Sequence, residues 1–402
     1  MEAPVDEPRR WTLLDAGAGL QDGGFSLARE APDLARPAGL NVTSRLLAGG
    51  VSHGVQLVDV SSDDLSFTVI PTRGMGLWKG SYRGRPLTWG SPVAGPVHPR
   101  HVELSLGGGR GWLGGFDEWV VRCGLSSNGV PCLDSWVDED GTERTETLTQ
   151  HGRIANLPAH RASVEVVAGP PFRIRVVGEV IETAVFGPRL LLRTTYEHVP
   201  GTGALSIKDE VENLGGRTAE LELLYHLNFG APLVGEGARI HVAADEIAPY
   251  TSGAAGGILD YAACVAPVAG RPEEVFLCVP RGDADGYGAA LLENSTGEAG
   301  VLVRYDRSTL PWFVIWKLLA DPRDGYVVGL EPSTNFPNLR TFERAQGRVQ
   351  RLEPGETRTF RVSMELLAGA REVNAARALV DGVQGATAPA LRRSTGLPFT
   401  ET

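Results

Sequence analysis

Three short stretches of this chain gather side chains able to move a proton. Tyr225-His226-Leu227-Asn228-Phe229-Gly230 carries an imidazole and an amide two residues apart. Gln150-His151-Gly152-Arg153 sets a histidine and an arginine on either side of a glycine, so the backbone can crowd while both side chains project. Gly329-Leu330-Glu331-Pro332 ends an apolar run on a carboxylate. An unperturbed imidazole titrates near ~6.5 and a glutamate lifted by burial from about 4.3 approaches it, so the two can exchange a proton near neutral pH. General acid–base catalysis is the chemistry such residue types can do, with Glu331 suited by desolvation to a general base. Each stretch also has a plain structural reading: a surface histidine, a solvated turn pair, or a glutamate salt-bridged to Lys317 or Arg340.

Strands must position these groups. In Ala219-Glu-Leu-Glu-Leu-Leu-Tyr-His226 the odd-numbered positions are apolar, while Glu220, Glu222 and His226 share the other face, with Asn228 continuing it. Tyr326 to Leu330 is apolar on both faces, as in a buried strand, and Pro311-Trp312-Phe-Val-Ile-Trp316-Lys317 precedes it. Ile70-Pro-Thr-Arg73-Gly74-Met75-Gly76 places an arginine between strand signals, with glycines that would let a ligand approach. Arg73, Arg153, Asn228 and Lys317 are candidate ligand contacts, and Trp316 is a candidate ring platform. Trp112, Phe116 and Trp119 lie in a glycine-rich segment outside any strand-to-helix setting, which argues against a phosphate loop. They are read as sugar-stacking faces or, for at least two of them, as loop aromatics packed on the sheet.

The 51 glycines and 27 prolines among 402 residues mark many turns, and strand-like runs recur at Leu46 to Gly49, Gly54 to Val60, Leu65 to Pro71 and Met75 to Tyr82. Leu205 to Asn213, the turn Leu214-Gly-Gly216 and the His226 strand read as a hairpin, as do the segments flanking Glu353-Pro-Gly-Glu356. An acidic excursion from Asp134 to Glu146 reads as an exposed hairpin or loop. Residues 1–40 form an N-terminal lead-in, 41–367 a β domain, and 368–402 a short amphipathic helix and a loose tail.

The net charge of −11, with basic residues scattered, argues against nucleic acid as a partner. No stretch has the roughly 20 apolar residues of a membrane helix, and Arg9-Arg10 is not followed by an apolar core. A cytoplasmic protein is expected. The four cysteines, at 123, 132, 264 and 278, show no metal-ligand spacing; a Cys123–Cys132 disulfide is conceivable, and reduced thiols are expected.

Taken together and in order, the His151, His226 and Glu331 motifs resemble the aldose 1-epimerase (galactose mutarotase-like) superfamily. Arg73-Gly74-Met75 and Cys123-Gly124-Leu125 resemble more closely its divergent DUF4432 branch, over roughly residues 45 to 367. The family's usual Asn-His-x-Tyr-x-Asn-Leu wording is here Leu-Tyr-His-Leu-Asn-Phe. The resemblance implies an all-β fold, a β-supersandwich with a few peripheral short helices, and a monosaccharide or sugar derivative in an open cleft. It further implies His226 as general acid, Glu331 as general base and His151 holding the ring oxygen, in a cofactor-independent, metal-free interconversion of anomers. The alternatives are a non-catalytic carbohydrate-binding protein on the same fold, or a sugar isomerase or epimerase acting at another carbon.

Overall fold

The computed structural model describes residues 7–137 and 141–401. The first six residues of the lead-in and the 138–140 tip of the acidic excursion lie outside them.

Two large sheets, of ten and thirteen strands among the described residues and antiparallel but for the Ala390–Leu391 edge, pack face to face as the expected β-supersandwich. Period-two patterning builds the core between them. Leu221, Leu223, Tyr225, Leu227 and Phe229 of the Ala219–Phe229 strand are all buried in that layer. Removing such side chains from water stabilises the fold by about 25 cal/mol for each Å² of apolar surface. A buried polar network crosses this core. Arg122, on Val120–Leu125, crosses to Asp209 of the opposite sheet at 2.5 and 2.9 Å, supported by Thr194, Tyr196 and Tyr225. A buried ion pair of this kind fixes how the layers face each other more than it adds stability.

The thirteen-stranded sheet holds the strands that matter here in the order Glu274–Pro280, Trp312–Leu319, Tyr326–Ser333, Ala219–Phe229, Val120–Leu125, Gly76–Tyr82. Its outer face carries a second apolar cluster, containing Trp89, Trp112, Phe116, Leu224, Val314 and Phe336.

Several expectations change. The first meander strand is Asn41–Leu46, ahead of the expected run. Neither expected hairpin forms. Ala204–Asn213 lies in the ten-stranded sheet and Ala219–Phe229 in the other, and Gln350–Leu352 pairs with Ala219–Phe229 while Thr357–Ala368 pairs with Ala204–Asn213. Both turns are arches between sheets, tied side by side where Asn213 Nδ2 donates to Leu352 O and Gly355 N donates to Asn213 O. The lead-in contains Arg9–Asp15, which pairs with Arg161–Val167. Beyond the Ala370–Gln384 helix, the tail adds Ala390–Leu391 alongside Ala244–Pro249 and packs Phe399 against Phe336. The acidic excursion is a two-stranded hairpin, Cys132–Val137 with Glu143–Leu148. Among the described residues no helix is long and apolar enough to cross a membrane.

Candidate active site

Register brings the acid–base candidates together. The pairing of Leu224 with Ser333 and Leu227 with Leu330 sets His226 across from Glu331 on adjacent antiparallel strands. The next strand pairs Trp316 with Gly329, so Trp316 joins the same outer face. Gly329 makes the room: a Cβ there would lie 2.5 Å from Glu331 Oε1 and 3.2 Å from both His226 Cε1 and Trp316 Cβ.

His226 Nε2 lies 3.2 Å from Glu331 Oε1. On the other side of the ring, Nδ1 is 2.5 Å from Asn228 Oδ1. The Asn228 amide nitrogen donates to the carbonyls of Glu118 and His226, so its oxygen is the acceptor and Nδ1 carries the hydrogen. His151 is oriented likewise, donating from Nδ1 to Asn128 O at 2.8 Å. Its ring centroid is 6.0 Å from that of His226.

Aromatic rings wall the site. Trp112 lies 4.7 Å from His151, and Phe116 and Trp316 each lie 5.1 Å from His226, centroid to centroid. Trp89 packs behind Phe116 and Trp316, while Trp119 turns into the inter-sheet core. His226 and Glu331 keep only 5% and 3% of their surface exposed.

Such surroundings disfavour charge. Burial lowers His226 to about 3, with His151 adding and the Asn228 hydrogen bond opposing, and it lowers His151 to about 4. Burial also pushes Glu331 well above the ordinary carboxylate range, with the Glu273 charge adding. Glu331 Oε1 has no hydrogen-bond partner, whereas a buried carboxylate ordinarily collects several N–H donors. Burial thus favours the uncharged form of each group, a carboxylic acid at Glu331 and a neutral imidazole at His226. The resemblance implies the opposite allocation, with His226 as acid and Glu331 as base.

The remaining candidates separate. Arg73 is sealed: Nε meets Glu118 at 2.6 Å, and its other nitrogens donate to Val97 O, Gly115 O and Asn156 Oδ1. The neighbouring Gly74, at φ +55°, is needed because a Cβ would lie 2.3 Å from Ile154 O, so its close approach is to backbone and not to a ligand. Lys317 lies on the opposite face from Trp316, 3.6 Å from Glu274, and donates to Asp260 O and Ala263 O. Asn228 is fully buried and spends its amide orienting His226. Arg153 is exposed. Trp316 stands edge-on to His226, its Nε1 donating to Glu273 at 2.7 Å.

The sequence reading passed over Trp89, whose Nε1 donates to Glu118 O, and the buried Asn128, Asn335 and Glu222 beneath His151. The only signal available was Glu222 sharing the His226 face of the strand. Among the described residues no group of three or more His, Cys, Asp or Glu side chains converges as a metal ion would require.

Comparison with known proteins bears on the fold and the family. The crystal structure of a "putative aldose 1-epimerase" from Klebsiella pneumoniae superimposes with a TM-score of 0.90 over 96% of this chain and 99% of that one, at 30% identity. An Escherichia coli protein of the same description (TM-score 0.51, 15% identity, 78% and 100% coverage) shares the fold. So does a galactose mutarotase-like protein from Clostridium acetobutylicum (TM-score 0.54, 15% identity, 82% and 99% coverage). A search of curated proteins gives no match. The model of DUF4432, a domain of unknown function, matches residues 52–366, and the chain belongs to that family, a divergent branch of the aldose 1-epimerase (galactose mutarotase-like) superfamily.

Proposed function

We propose that this protein is an aldose 1-epimerase-like isomerase that interconverts the anomers of a monosaccharide or sugar derivative. The observation that carries the reading is a buried carboxyl oxygen, without another hydrogen-bond partner, 3.2 Å from an imidazole nitrogen whose far side is already tied to Asn228.

The pair holds one proton, initially on Glu331. Glu331 protonates the ring oxygen while His226 Nε2 accepts the proton of the anomeric hydroxyl. The ring C–O bond breaks and C1 becomes a carbonyl. After rotation about C1–C2, the freed hydroxyl attacks the other carbonyl face, its proton returns to the Glu331 carboxylate, and the His226 imidazolium protonates the carbonyl oxygen. The pair ends as it began, with no redox step and no group transferred, so the reaction asks for no cofactor. His226 as acid and Glu331 as base would balance equally, but that allocation needs a charged pair in aromatic surroundings.

Neutral His151 carries a lone pair at Nε2, met by Gln150 Nε2 at 3.4 Å; as an acceptor it suits a sugar hydroxyl, taking over from that amide, better than a ring oxygen. Trp112, Phe116 and Trp316 supply apolar faces for the ring. With so little of the pair exposed, a sugar enters by displacing Trp112, on the glycine-rich 106–115 segment, or Phe116, just after it.

Anomer exchange across a panel of aldoses, followed by NMR magnetisation transfer in deuterated buffer, tests the reading. Accelerated exchange for at least one sugar, without deuterium entering carbon, is expected. Saturable binding without exchange would instead mark a carbohydrate-binding protein, and deuterium at carbon an epimerase acting at another position.

A further inference from the structure

His151 occupies a backbone conformation that its residue type seldom adopts, at φ +58°, followed by Gly152 at φ +67°. Gly152 has no alternative, since a Cβ would lie 2.1 Å from Ser127 O and 2.5 Å from Gly124 O. The turn is held by His151 N donating to Gly129 O and Gly124 N donating to His151 O. The imidazole is held at Nδ1 by the carbonyl of Asn128 at 2.8 Å, with Gln150 Nε2 3.4 Å from its Nε2. Where that carbonyl sits therefore sets the shorter of the two contacts that orient His151 Nε2.

Asn128 is fully buried and clamped at three atoms. Its backbone N–H donates to Glu222 Oε2 at 3.0 Å, its Nδ2 donates to Asn335 Oδ1 at 2.9 Å, and its Oδ1 accepts from Asn335 Nδ2 at 3.2 Å. Asn335 Nδ2 reaches Glu222 Oε1 at 3.1 Å, and Asn335 Oδ1 accepts from Thr334 Oγ1 at 2.7 Å. Glu222 precedes His226 on the same face of the same strand, and Asn335 follows Glu331 just beyond its strand. The two strands that present the acid–base pair thus also hold the carbonyl that orients His151.

We infer that Asn128, Asn335 and Glu222 are positioning residues, locking His151 Nε2 onto the His226–Glu331 pair so that all three groups meet one sugar ring. This rests on the anomer-exchange reading for its functional arm only. A bare loop anchor would need one side chain to the backbone; here the Glu222 carboxyl, accepting from both Asn128 N and Asn335 Nδ2, fixes which way the Asn335 amide faces, and that amide fixes Asn128 through two reciprocal hydrogen bonds.

The test is a double-mutant cycle with a spectroscopic arm on the full chain. Long-range 15N NMR of the imidazoles at neutral pH is expected to find wild-type His151 with its hydrogen on Nδ1, and Asn335→Ala with the two tautomers averaged. In anomer exchange, His151→Ala is expected to raise KM about tenfold, the worth of one hydrogen bond, with kcat changed much less. Asn335→Ala should do the same, and the double variant should be no worse than His151→Ala alone. Should Asn335→Ala not fold, Glu222→Gln keeps the shape but turns a donor toward Asn335, and the same shifts in smaller measure are expected. Additive losses, or a His151 signal unchanged in the folded variant, would overturn the inference. A wild type that exchanges no anomer overturns the functional reading, while the tautomer measurement still decides this one.

Discussion

Replacing Glu331 by glutamine separates the role of the carboxyl from its protonation state, because the two affect different measurements. A carboxylic acid at this position holds Oε1 3.2 Å from His226 Nε2 without hydrogen-bond geometry, and that oxygen has no other partner. A glutamine of the same shape puts one uncharged group in place of another with no hydrogen bond lost. Stability should therefore change by less than about 0.5 kcal/mol. Were the resting pair instead a carboxylate and an imidazolium, the substitution would strand a buried charge at a cost of about 3–5 kcal/mol.

Catalysis should respond differently, since an amide cannot surrender its proton to a ring oxygen. Loss of one positioned acid typically costs about 10²–10⁴ in rate, equivalent to about 3–5 kcal/mol in the barrier. The assays are the urea midpoint and the anomer-exchange rate of Glu331→Gln beside wild type. An undisturbed midpoint with a collapsed rate is expected. A midpoint lowered by several kcal/mol would refute the neutral pair, and an undiminished rate would remove Glu331 from the chemistry.

Lys317→Met should lower stability by about 3 kcal/mol, since Glu274 keeps only Arg271 at 3.0 Å, yet leave kcat/KM of the folded enzyme unchanged; a loss of sugar affinity would restore Lys317 as a contact. Gly329→Ala should fold but drive a methyl group against Glu331 and His226, lowering kcat/KM at least tenfold in the exchange assay; wild-type activity would show that the pair needs no such clearance. Acid stability probes His151, whose burial-lowered value of about 4 means that below pH ~6.5 the unfolded chain binds a proton that the folded chain refuses. Its contribution is whole above that pH and is lost as pH falls through about 4. Glu222 and Asp117, both raised to about 7 chiefly by burial, act with the opposite sign, their stabilisation fading as pH rises through 7. Because His151→Asn retains both, it should lose less stability than wild type between pH 6.5 and 4 in urea titrations, and parallel slopes would contradict a neutral buried His151.

What the sequence disclosed divides along physical lines. A strand that is apolar on one face and polar on the other writes its period into the chain even when both faces are buried, so the apolar side of Ala219–Phe229 and the polar side holding His226 were both legible. Which strands pair is not written locally. Leu214-Gly215-Gly216 and Glu353-Pro-Gly-Glu356 are turn sequences, but a tight turn serves an arch between layers as readily as a hairpin within one. The choice belongs to Tyr326–Ser333 and Val120–Leu125, which occupy the edges of Ala219–Phe229 that a hairpin partner would have needed.

The site divides in the same way. His151, His226 and Glu331 were found because a proton donor and acceptor are recognisable by type, whereas what a cation or an amide does depends on acceptors remote in the chain. Arg73 reads as available until Glu118, Val97, Gly115 and Asn156 are seen to consume it. Lys317 could have been excluded from the chain alone, because adjacent residues of a strand face opposite sides and it cannot share the face of Trp316. With Arg73 and Lys317 removed, no lysine or arginine acts on His226, His151 or Glu331, and the charge that acts on Glu331 is the acidic Glu273. An alkoxide at the anomeric oxygen would find no compensating charge there, and a carboxylate at residue 331 none but an imidazolium at His226. The two proton transfers must then proceed together, so that the site never holds an unpaired charge, and this is why one neutral pair sharing a single proton suits ring opening better than two independently ionised groups.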